Sequence, residues 1–180
     1  NTAQGTAEIR NLFESRPFDF PKPSGLIEHL MLTAVRRDKN AILLDFFSGS
    51  ASSAQAVMSL NKKDNGARKF IMVQIPELTD VESEAYNSGY KNICEIGKER
   101  IRRVGTKFKE EKSSIDTGFR VFKCDSSNMK DVYFAPNDYS QGVLSMLEDN
   151  IKEDRTDLDL LFDCMLRWGV ELSLPFSSKK

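Results

Sequence analysis

The residues best suited to binding a ligand lie where an apolar segment meets a turn of small residues. Residues 42–54 read ILLDFFSGSASSA, so an acid and two aromatic residues precede a glycine among serines. This pattern is typical of a buried parallel strand that passes through a tight loop into a helix. Gly49 supplies conformational freedom and leaves space for a ligand beside the backbone. Ser50, Ala51 and Ser52 keep the approach open, and either serine is a candidate cap for the helix that follows.

The glycine spacing of this turn argues against a pyrophosphate ligand. A dinucleotide-binding turn has the pattern G-x-G-x-x-G, which allows the pyrophosphate to lie on the helix N-terminus. Here Gly49 is followed by no other glycine until Gly66. A nicotinamide-dependent oxidoreductase of the Rossmann type is therefore kept only as a less favoured alternative.

A second candidate segment, FDFPKPS at residues 18–24, precedes the turn by some twenty residues. Its prolines stiffen the backbone, and Ser24 is a candidate cap for a helix over about residues 25–37. The N-terminus of that helix would offer free N–H groups and a positive dipole end to an anion. Taken alone, this segment is compatible with any loop-to-helix junction. Helical spacing predicts a core face made of Leu26, Ile27, Leu30, Met31, Ala34 and Val35.

A third segment, KFIMVQIPE at residues 69–77, reads as an apolar strand that Pro76 ends. Gln74 is the one polar residue within the strand, and Glu77 follows it directly. A carboxylate after the second strand can accept hydrogen bonds from both ribose hydroxyls of a nucleoside. By itself, Glu77 is equally compatible with an ordinary exposed loop acid. The polar residues 61–68 are interpreted as an inserted loop between the two strands.

These segments resemble the cofactor motifs of S-adenosylmethionine-dependent DNA amino-methyltransferases. Residues 45–52 resemble the family pattern D-F-F/A-G-S-G-T, with Ala51 where a second glycine is common, and residues 18–27 resemble F-x-x-P-K-P-x-x-L-I. The resemblance implies S-adenosylmethionine as the cofactor. The residues that it assigns to the cofactor are Phe18, Pro21, Lys22, Pro23, Ser24, Asp45, Phe46, Phe47, Ser48, Gly49, Ser50, Ala51, Ser52, Gln74 and Glu77.

The rest of the chain resembles one class of these enzymes, the Mod subunits of type III restriction–modification systems. The matching segments are residues 89–104, 118–128 and 159–175, and the matches follow the family order over nearly the whole chain. The resemblance implies transfer of a methyl group to N6 of adenine in DNA. It also implies three partners for the full-length subunit: DNA, a second Mod subunit and an ATP-dependent restriction (Res) subunit.

The family's catalytic motif, Asp-Pro-Pro-Tyr, does not occur in this sequence. Residues 134–139 contain similar letters in another order and are predicted to form a turn. In this permuted class the catalytic half precedes the Pro-Lys-Pro motif, and the sequence starts with Asn1 rather than Met. We therefore expect a C-terminal, cofactor-binding portion that holds no catalytic residue and is inactive alone. A non-enzymatic α/β interaction module remains the second alternative.

Composition is consistent with these expectations. The 180 residues carry a formal net charge of −1, so there is no global basic footprint for nucleic acid. Cys94, Cys124 and Cys164 show no metal-binding spacing, which favours a reduced cytoplasmic protein. His29 has no histidine or cysteine cluster around it, so no metal site is predicted. No apolar run approaches the ~18 residues of a membrane span, and no membrane partner is expected.

Alternating strand and helix patterns predict an α/β fold: a partial, Rossmann-like methyltransferase sheet with a C-terminal helical appendage. The predicted domains are a lead-in at residues 1–17, the cofactor-binding half at 18–135 and a helical segment at 136–180. The predicted elements are a helix at 25–37, a strand at 41–47, a helix to about 60, a strand at 70–75, a helix at 88–110, a strand at 119–123, and helices near 140–152 and 157–168.

Two helices carry surfaces of interest. The long helix has an apolar stripe and a basic face, for which a solvated surface with pairs such as Glu99–Arg103 is favoured over contact with DNA phosphates. That face comprises Lys98, Arg100, Arg102, Arg103, Lys107 and Lys109, and Arg100 also falls beside Ile101 on the apolar stripe. The helix within residues 158–168 is apolar on more than one face, so it is either buried from two sides or able to self-associate. A second amphipathic stripe, made of Val143, Leu144, Leu147 and Ile151, adds to this surface, and joint replacement of Leu161 and Phe162 is expected to weaken the association.

Overall fold

The computed structural model describes residues 2–35, 38–111, 114–131 and 150–177. They fall into two compact units, Asn1–Gly118 and Phe119–Lys180. The helices and strands of the described residues are α1 (Thr2–Phe13), α2 (Ser24–Val35), β1 (Ile42–Asp45), α3 (Ser52–Asp64), β2 (Lys69–Met72), α4 (Glu84–Asn87), α5 (Ile93–Glu110) and α6 (Asp157–Arg167).

The sheet of the first unit consists of β1 and β2, which run parallel with Ile42 opposite Lys69 and Asp45 opposite Met72. One further hydrogen bond extends the pairing, from the N–H of Val73 to the carbonyl of Asp45 at 2.8 Å. Helix α3 forms the crossover that two parallel strands require. The two predicted strands are therefore confirmed in place, although each is shorter than predicted. Within the described residues the sheet has only these two strands.

Two apolar clusters hold the first unit together. The sheet is covered on one side by α3 and α2, through Ala56, Val57, Leu60 and Met31, with Ile27, Leu43 and Phe70 packed against them. The second cluster joins α1 to α4 and α5 through Ile9, Phe13, Ala85 and Ile96. Burial of side chains of this size stabilises a fold by about 1.5–3 kcal/mol each. Residues 2–13 are therefore an integral part of the packed unit.

The other side of the sheet is apolar but exposed. Ile42 and Leu44 of β1 are 62% and 57% exposed, and Ile71 and Val73 are 51% and 49% exposed. Strands that are apolar on both faces are typical of parallel sheets covered by helices on both sides. The described residues cover only one of those sides.

The end of α3 is fixed to the start of β2 by a polar network around Arg68, whose side chain is fully buried. Its guanidinium donates to both carboxylate oxygens of Asp64 at 2.9 Å. The amide side chain of Asn61 bonds the backbone of Arg68 in both directions, at 2.9 and 3.1 Å. These contacts set the distance between the crossover helix and the second strand.

Three helices differ from their predicted form. Helix α3 continues to Asp64, so residues 61–64 of the predicted polar loop are helical. Helix α5 begins at Ile93 rather than near residue 88, because Gly89 has a φ of +92° and Asn92 caps the helix by accepting from the N–H of Glu95. The predicted core face of α2 is only partly buried: Met31 is buried, whereas Leu26, Leu30 and Ala34 are exposed. Helix α3 covers one side of α2, and the remaining apolar residues lack a described neighbour.

The second unit departs most from the predicted pattern. Residues 119–123 form no strand, since no described strand lies beside them to supply hydrogen bonds. Helix α6 forms as predicted, with a capping box between Thr156 and Asp159. The predicted helix near 140–152 and the predicted turn at 134–139 lie largely outside the described residues. The described end of that helix, around Ile151, instead makes an antiparallel bridge with Met129.

Helix α6 has no buried residue in the described structure. The ring of Phe162 packs edge-on against Phe122 at 5.0 Å and Phe176 at 5.6 Å between centroids. Leu158, Leu161 and Leu166 are exposed, with Leu166 at 66% and the adjoining Trp168 at 84% exposure, whereas Leu160 and Met165 are half-buried. The interpretation that this helix is buried from two sides is therefore wrong within the described residues.

Among the described residues, no helix is both long enough and apolar enough to cross a bilayer. Nor do the described residues contain a group of three or more His, Cys, Asp and Glu side chains placed to hold a metal ion.

Candidate functional site

Asp45, the last residue of β1, organises the turn that follows it. One carboxylate oxygen accepts from the N–H of Phe47 at 3.2 Å, and the other accepts from the hydroxyl of Ser53 at 2.5 Å. Because Ser53 lies in the first turn of α3, the carboxylate joins the strand, the turn and the helix. Both carboxylate oxygens of Asp45 therefore accept hydrogen bonds from within the protein, one from the turn and one from α3.

Two residues of the turn have left-handed backbone conformations, Gly49 with a φ of +50° and Ala51 with a φ of +59°. A non-glycine residue in this region is strained by roughly 1–2 kcal/mol. Ala51 is also the N-cap residue of α3, and it provides no side-chain cap. The expectation that Ser50 or Ser52 caps this helix is wrong, because both hydroxyls accept hydrogen bonds from Arg100 of α5 instead.

Gln74 connects the turn to the end of β2. Its side-chain carbonyl accepts from the N–H of Gly49 at 2.7 Å. Its backbone carbonyl faces the thiol of Cys94 in α5 at 3.4 Å. Burial raises the pKa of the Cys94 thiol, which keeps the proton needed for that contact at neutral pH. Gln74 thus joins the turn, the second strand and α5 at one point.

The Pro-Lys-Pro segment lies against the same turn. A Cβ added to Gly49 would be 3.3 Å from the Cζ atom of Phe18, so the aromatic ring packs on the glycine. Pro21 and Pro23 are buried, whereas Lys22 between them is exposed. Two other sequence-predicted regions, around residues 18 and 74, therefore each contact the turn at Gly49.

The N-terminus of α2 is less open than expected. The N–H of Ser24 donates to the Oε2 atom of Glu8 at 3.0 Å. The hydroxyl of Ser24 accepts from the side-chain amide of Gln55 at 3.4 Å. The expectation of free N–H groups is thus wrong at Ser24, where a protein carboxylate already lies near the positive end of the helix.

The remaining predicted residues form an open surface. Phe46 and Phe47 are 62% and 76% exposed, and their ring centroids are 5.2 Å apart. The side chain of Glu77 is exposed, while its backbone carbonyl accepts from the N–H of Ile93 at 3.0 Å. A cavity of about 310 Å³ lies among α1, α3 and α5, and none of the predicted cofactor residues lines it.

Arg100 and Glu8 are the residues that the sequence interpretation missed. The guanidinium of Arg100 is fully buried, with Glu8 as its ionic partner at 3.3 Å. Burial lowers the pKa of Arg100 to about 10, and Glu8 opposes this effect, so the side chain is charged at neutral pH. The sequence pattern placed Arg100 both on the apolar stripe of α5 and on its basic face; the structure confirms the first placement, and the second is wrong. The i, i+4 spacing of Arg100 between Ile96 and Val104 within the apolar stripe was the available signal.

One ion pair on the basic face of α5 matches the solvated surface expected from the sequence. Arg103 donates to the carboxylate of Glu99 at 2.8 Å, which is the intrahelical pair expected from the sequence.

Comparison with known proteins gives the family context of this site. No protein-family model matches the chain. The Mod subunit of the type III restriction–modification enzyme StyLTI from Salmonella typhimurium is 38% identical over 122 residues, which is 67% of this chain and 18% of that subunit. The Mod subunit of the type III enzyme EcoPI from Escherichia phage P1 is 38% identical over 121 residues, with the same two shares, 67% and 18%.

A methyltransferase of another type also matches. The type II methyltransferase M.KpnI from Klebsiella pneumoniae is 34% identical over 111 residues, which is 62% of this chain and 26% of that protein. The chain spans less than a fifth of the length of the Mod subunits, at 18% each. The chain is a homologue of the Mod subunits of type III restriction–modification enzymes, which confirms the resemblance found in its motifs.

Proposed function

We propose that this chain is the S-adenosylmethionine-binding part of a DNA methyltransferase of a restriction–modification system. The observation that carries the proposal is the contact between Phe18, the Gly49 turn and Gln74 at the carboxyl ends of β1 and β2. Ligands of α/β sheets bind at this edge. The similarity to the type II methyltransferase M.KpnI supports the class of reaction.

The exposed side chains at this edge fit the parts of the cofactor. The rings of Phe46 and Phe47 offer an apolar surface for the adenine, and the Glu77 carboxylate can accept hydrogen bonds from the ribose hydroxyls. The methionine end would lie near Lys22, whose exposed ammonium can pair with the cofactor's carboxylate, and near the Gly49 turn. The site as a whole would belong to a Rossmann-like methyltransferase fold.

S-adenosylmethionine held at this site would supply a methyl group to the exocyclic N6 amine of adenine by direct displacement, with S-adenosylhomocysteine as the leaving group and one amine proton released. The residues of this chain hold and orient the donor, which lowers the entropic part of the barrier. The Asp-Pro-Pro-Tyr motif that would hold the adenine is absent from the sequence. We therefore infer that the chain alone transfers no methyl group.

The exposed sheet face supports the view that this unit packs against a larger structure. Ile42, Leu44, Ile71 and Val73 form an apolar surface on strands whose pattern is typical of two-sided burial. The Mod homologues are several times longer than the chain. In the full-length cytoplasmic subunit we propose that this face is covered, and that DNA, a second Mod subunit and a Res subunit are the partners.

Calorimetric titration with S-adenosylhomocysteine tests the cofactor assignment. Glu77→Ala should weaken binding by about 1.5–3 kcal/mol, the contribution of a hydrogen bond to a charged acceptor. Gly49→Val should also weaken it, because a side chain at a φ of +50° would meet Phe18 at 3.3 Å. Glu82→Ala, which removes an exposed acid from the same connecting segment, is the matched control and should bind normally.

If Glu77→Ala and Gly49→Val both bind as the unaltered chain does, the assignment is wrong. Binding of NADH in place of S-adenosylhomocysteine would favour the oxidoreductase alternative, and binding of neither would favour the interaction module. The inferred inactivity is tested separately by radiolabelled methyl transfer to duplex DNA, where counts above a heat-inactivated control would contradict it.

A further inference from the structure

One buried side chain, that of Arg100, connects three segments of the candidate site. Its Nε donates to the side-chain carbonyl of Gln55 at 2.7 Å. Its Nη1 donates to the hydroxyls of Ser50 and Ser52 at 3.0 and 2.7 Å. Its Nη2 donates to Oε2 of Glu8 at 3.3 Å. The planar fork of a guanidinium can direct donors to several fixed acceptors at once.

Glu8 extends this network to the second cofactor segment. The Oε2 atom that faces Arg100 also accepts from the N–H of Ser24 at 3.0 Å. Gln55, the other partner of Arg100, donates to the Ser24 hydroxyl at 3.4 Å. The network therefore joins the end of the Pro-Lys-Pro segment to the serines on both sides of Ala51, although the two segments are far apart in sequence.

We propose that Arg100 is a positioning residue that holds the loop at residues 49–52 in its ligand-binding shape, and that Glu8 on α1 holds Arg100 in place. This inference rests on the proposed cofactor function of that loop. Arg100 acts through Ser50 and Ser52, and it has no contact of its own with the proposed ligand.

The local backbone explains why the loop needs such support. Gly49 and Ala51 both have left-handed conformations, and Ala51 adopts this conformation at an energetic cost. The carbonyl of Gly49 lies 3.2 Å from the position that a Cβ on Gly97 would occupy, so α5 approaches the loop directly. Arg100 lies one helical turn after Gly97, where its side chain reaches the two serines that flank Ala51.

Charge also favours a positioning role. An unpaired buried cation would be strongly unfavourable, so Arg100 is compatible with the fold only while its acceptors stay in place. The same requirement fixes those acceptors: Ser50, Ser52 and Gln55 are held where the guanidinium needs them. Glu8, with 21% of its side chain exposed, is the single anion in this set of partners.

Arg68 provides a matched control within the same unit. Its side chain is as buried as that of Arg100, and it is likewise paired with one carboxylate. Its partners, Asp64 and Asn61, lie at the other end of α3, away from the loop. Replacement of either arginine removes a buried cation, but only one of the two contacts the loop at 49–52.

The test compares Arg100→Met with Arg68→Met by calorimetric titration with S-adenosylhomocysteine, at a temperature where circular dichroism reports both variants as folded. We expect Arg100→Met to bind at least about tenfold more weakly than the unaltered chain, and Arg68→Met to bind within about twofold of it. Equal weakening in both variants would assign Arg100 a merely structural role and overturn the proposal. If the unaltered chain does not bind, the cofactor function itself fails, and this inference fails with it.

Glu8→Gln keeps the test decisive if Arg100→Met does not fold. This substitution conserves shape and lies outside the loop, so it acts on the ligand only through Arg100 and Ser24. We expect weaker binding of S-adenosylhomocysteine together with faster amide hydrogen exchange at residues 50–53 in the unliganded chain. Unchanged binding and unchanged exchange at these amides would overturn the proposal, whatever the stability of the variant.

Discussion

Gly5→Ala tests how closely α1 must approach the Pro-Lys-Pro segment. A Cβ placed on Gly5 would be 2.1 Å from the carbonyl oxygen of Pro21 and 3.1 Å from the carbonyl carbon of Lys22. Real Cβ atoms essentially never come within 3.0 Å of another heavy atom, so helix and segment must separate by roughly 1 Å. The obstacle is backbone, which cannot move aside as a flexible side chain can.

The expected loss of stability follows from two opposing effects. Overpacking in a well-packed interior costs about 1–3 kcal/mol, and a contact this short with backbone belongs at the upper end. Alanine recovers about 1 kcal/mol because glycine is a poor residue for a helix interior. The free energy of unfolding of Gly5→Ala should therefore fall by about 2 kcal/mol. Urea denaturation followed by circular dichroism measures this difference.

Gly25→Ala is the control for this substitution. Gly25 lies in the first turn of α2, and the nearest atom to an added Cβ is the side-chain nitrogen of Gln4 at 3.7 Å, an ordinary contact. Gly25→Ala should be neutral or stabilising by up to about 1 kcal/mol. If Gly5→Ala is as stable as Gly25→Ala, α1 does not pack on the Pro-Lys-Pro segment as described.

Three further predictions concern other parts of the chain. The guanidinium of Arg68, hydrogen-bonded to Asp64, holds the pKa of that carboxyl below its usual value of 3.8. The ion pair therefore stabilises the fold fully above pH 3.8, and this stabilisation is lost as the pH falls through the pKa of Asp64 in the folded chain. When the pH is lowered from 5 to below the pKa of Asp64, the melting temperature of Asp64→Asn should therefore fall less than that of the unaltered chain. Equal falls would contradict a stabilising Asp64–Arg68 pair. The chain should self-associate at micromolar concentration through α6, and Leu161→Asp with Phe162→Asp should weaken this association; a strictly monomeric sedimentation profile of the unaltered chain would reject the idea. Cys94, half-buried and with a raised thiol pKa, should react with iodoacetamide more slowly than the exposed Cys124, and equal rates measured by peptide mass spectrometry would refute this.

Local pattern was sufficient to predict the elements around the candidate site. The apolar segments that end at Asp45 and Gln74 specify strands, and the alternation of strand and helix specifies that they are parallel. Gly49 located the turn from β1 into α3, and its φ of +50° is a conformation that favours glycine. These predictions depend on a few neighbouring residues, which is why sequence was enough.

The errors arose where a side chain takes a partner that is distant in sequence. Ser50 and Ser52 are good helix caps by type, but their hydroxyls accept from Arg100, which lies some fifty residues away. The N-terminus of α2 was expected to be open, but Glu8 reaches the N–H of Ser24 from another helix. Periodicity places such polar residues on a buried face, but it does not identify which hydrogen-bond partner each one finds.

The absent strand at residues 119–123 has a similar cause. Alternating apolar residues favour an extended conformation, but a strand forms only where a neighbour supplies hydrogen bonds. Arg120 instead donates to the carbonyl of Leu174 at 2.7 Å, and the ring of Phe122 packs on Phe162. Side-chain contacts within the second unit thus hold this segment without a ladder.

The contacts of α1 link the stability of the fold to the geometry of the loop. Ile9 and Phe13 anchor the helix in the cluster with Ala85 and Ile96, and Glu8, the residue directly before Ile9, reaches Arg100. A change that loosens the apolar contacts of α1 would also withdraw the anion that a buried guanidinium requires. Because that guanidinium holds the serines flanking a strained Ala51, the loop should lose its shape before the sheet does. Helix α1, which precedes the candidate site in sequence, is thus connected to the loop of that site through Glu8 and Arg100.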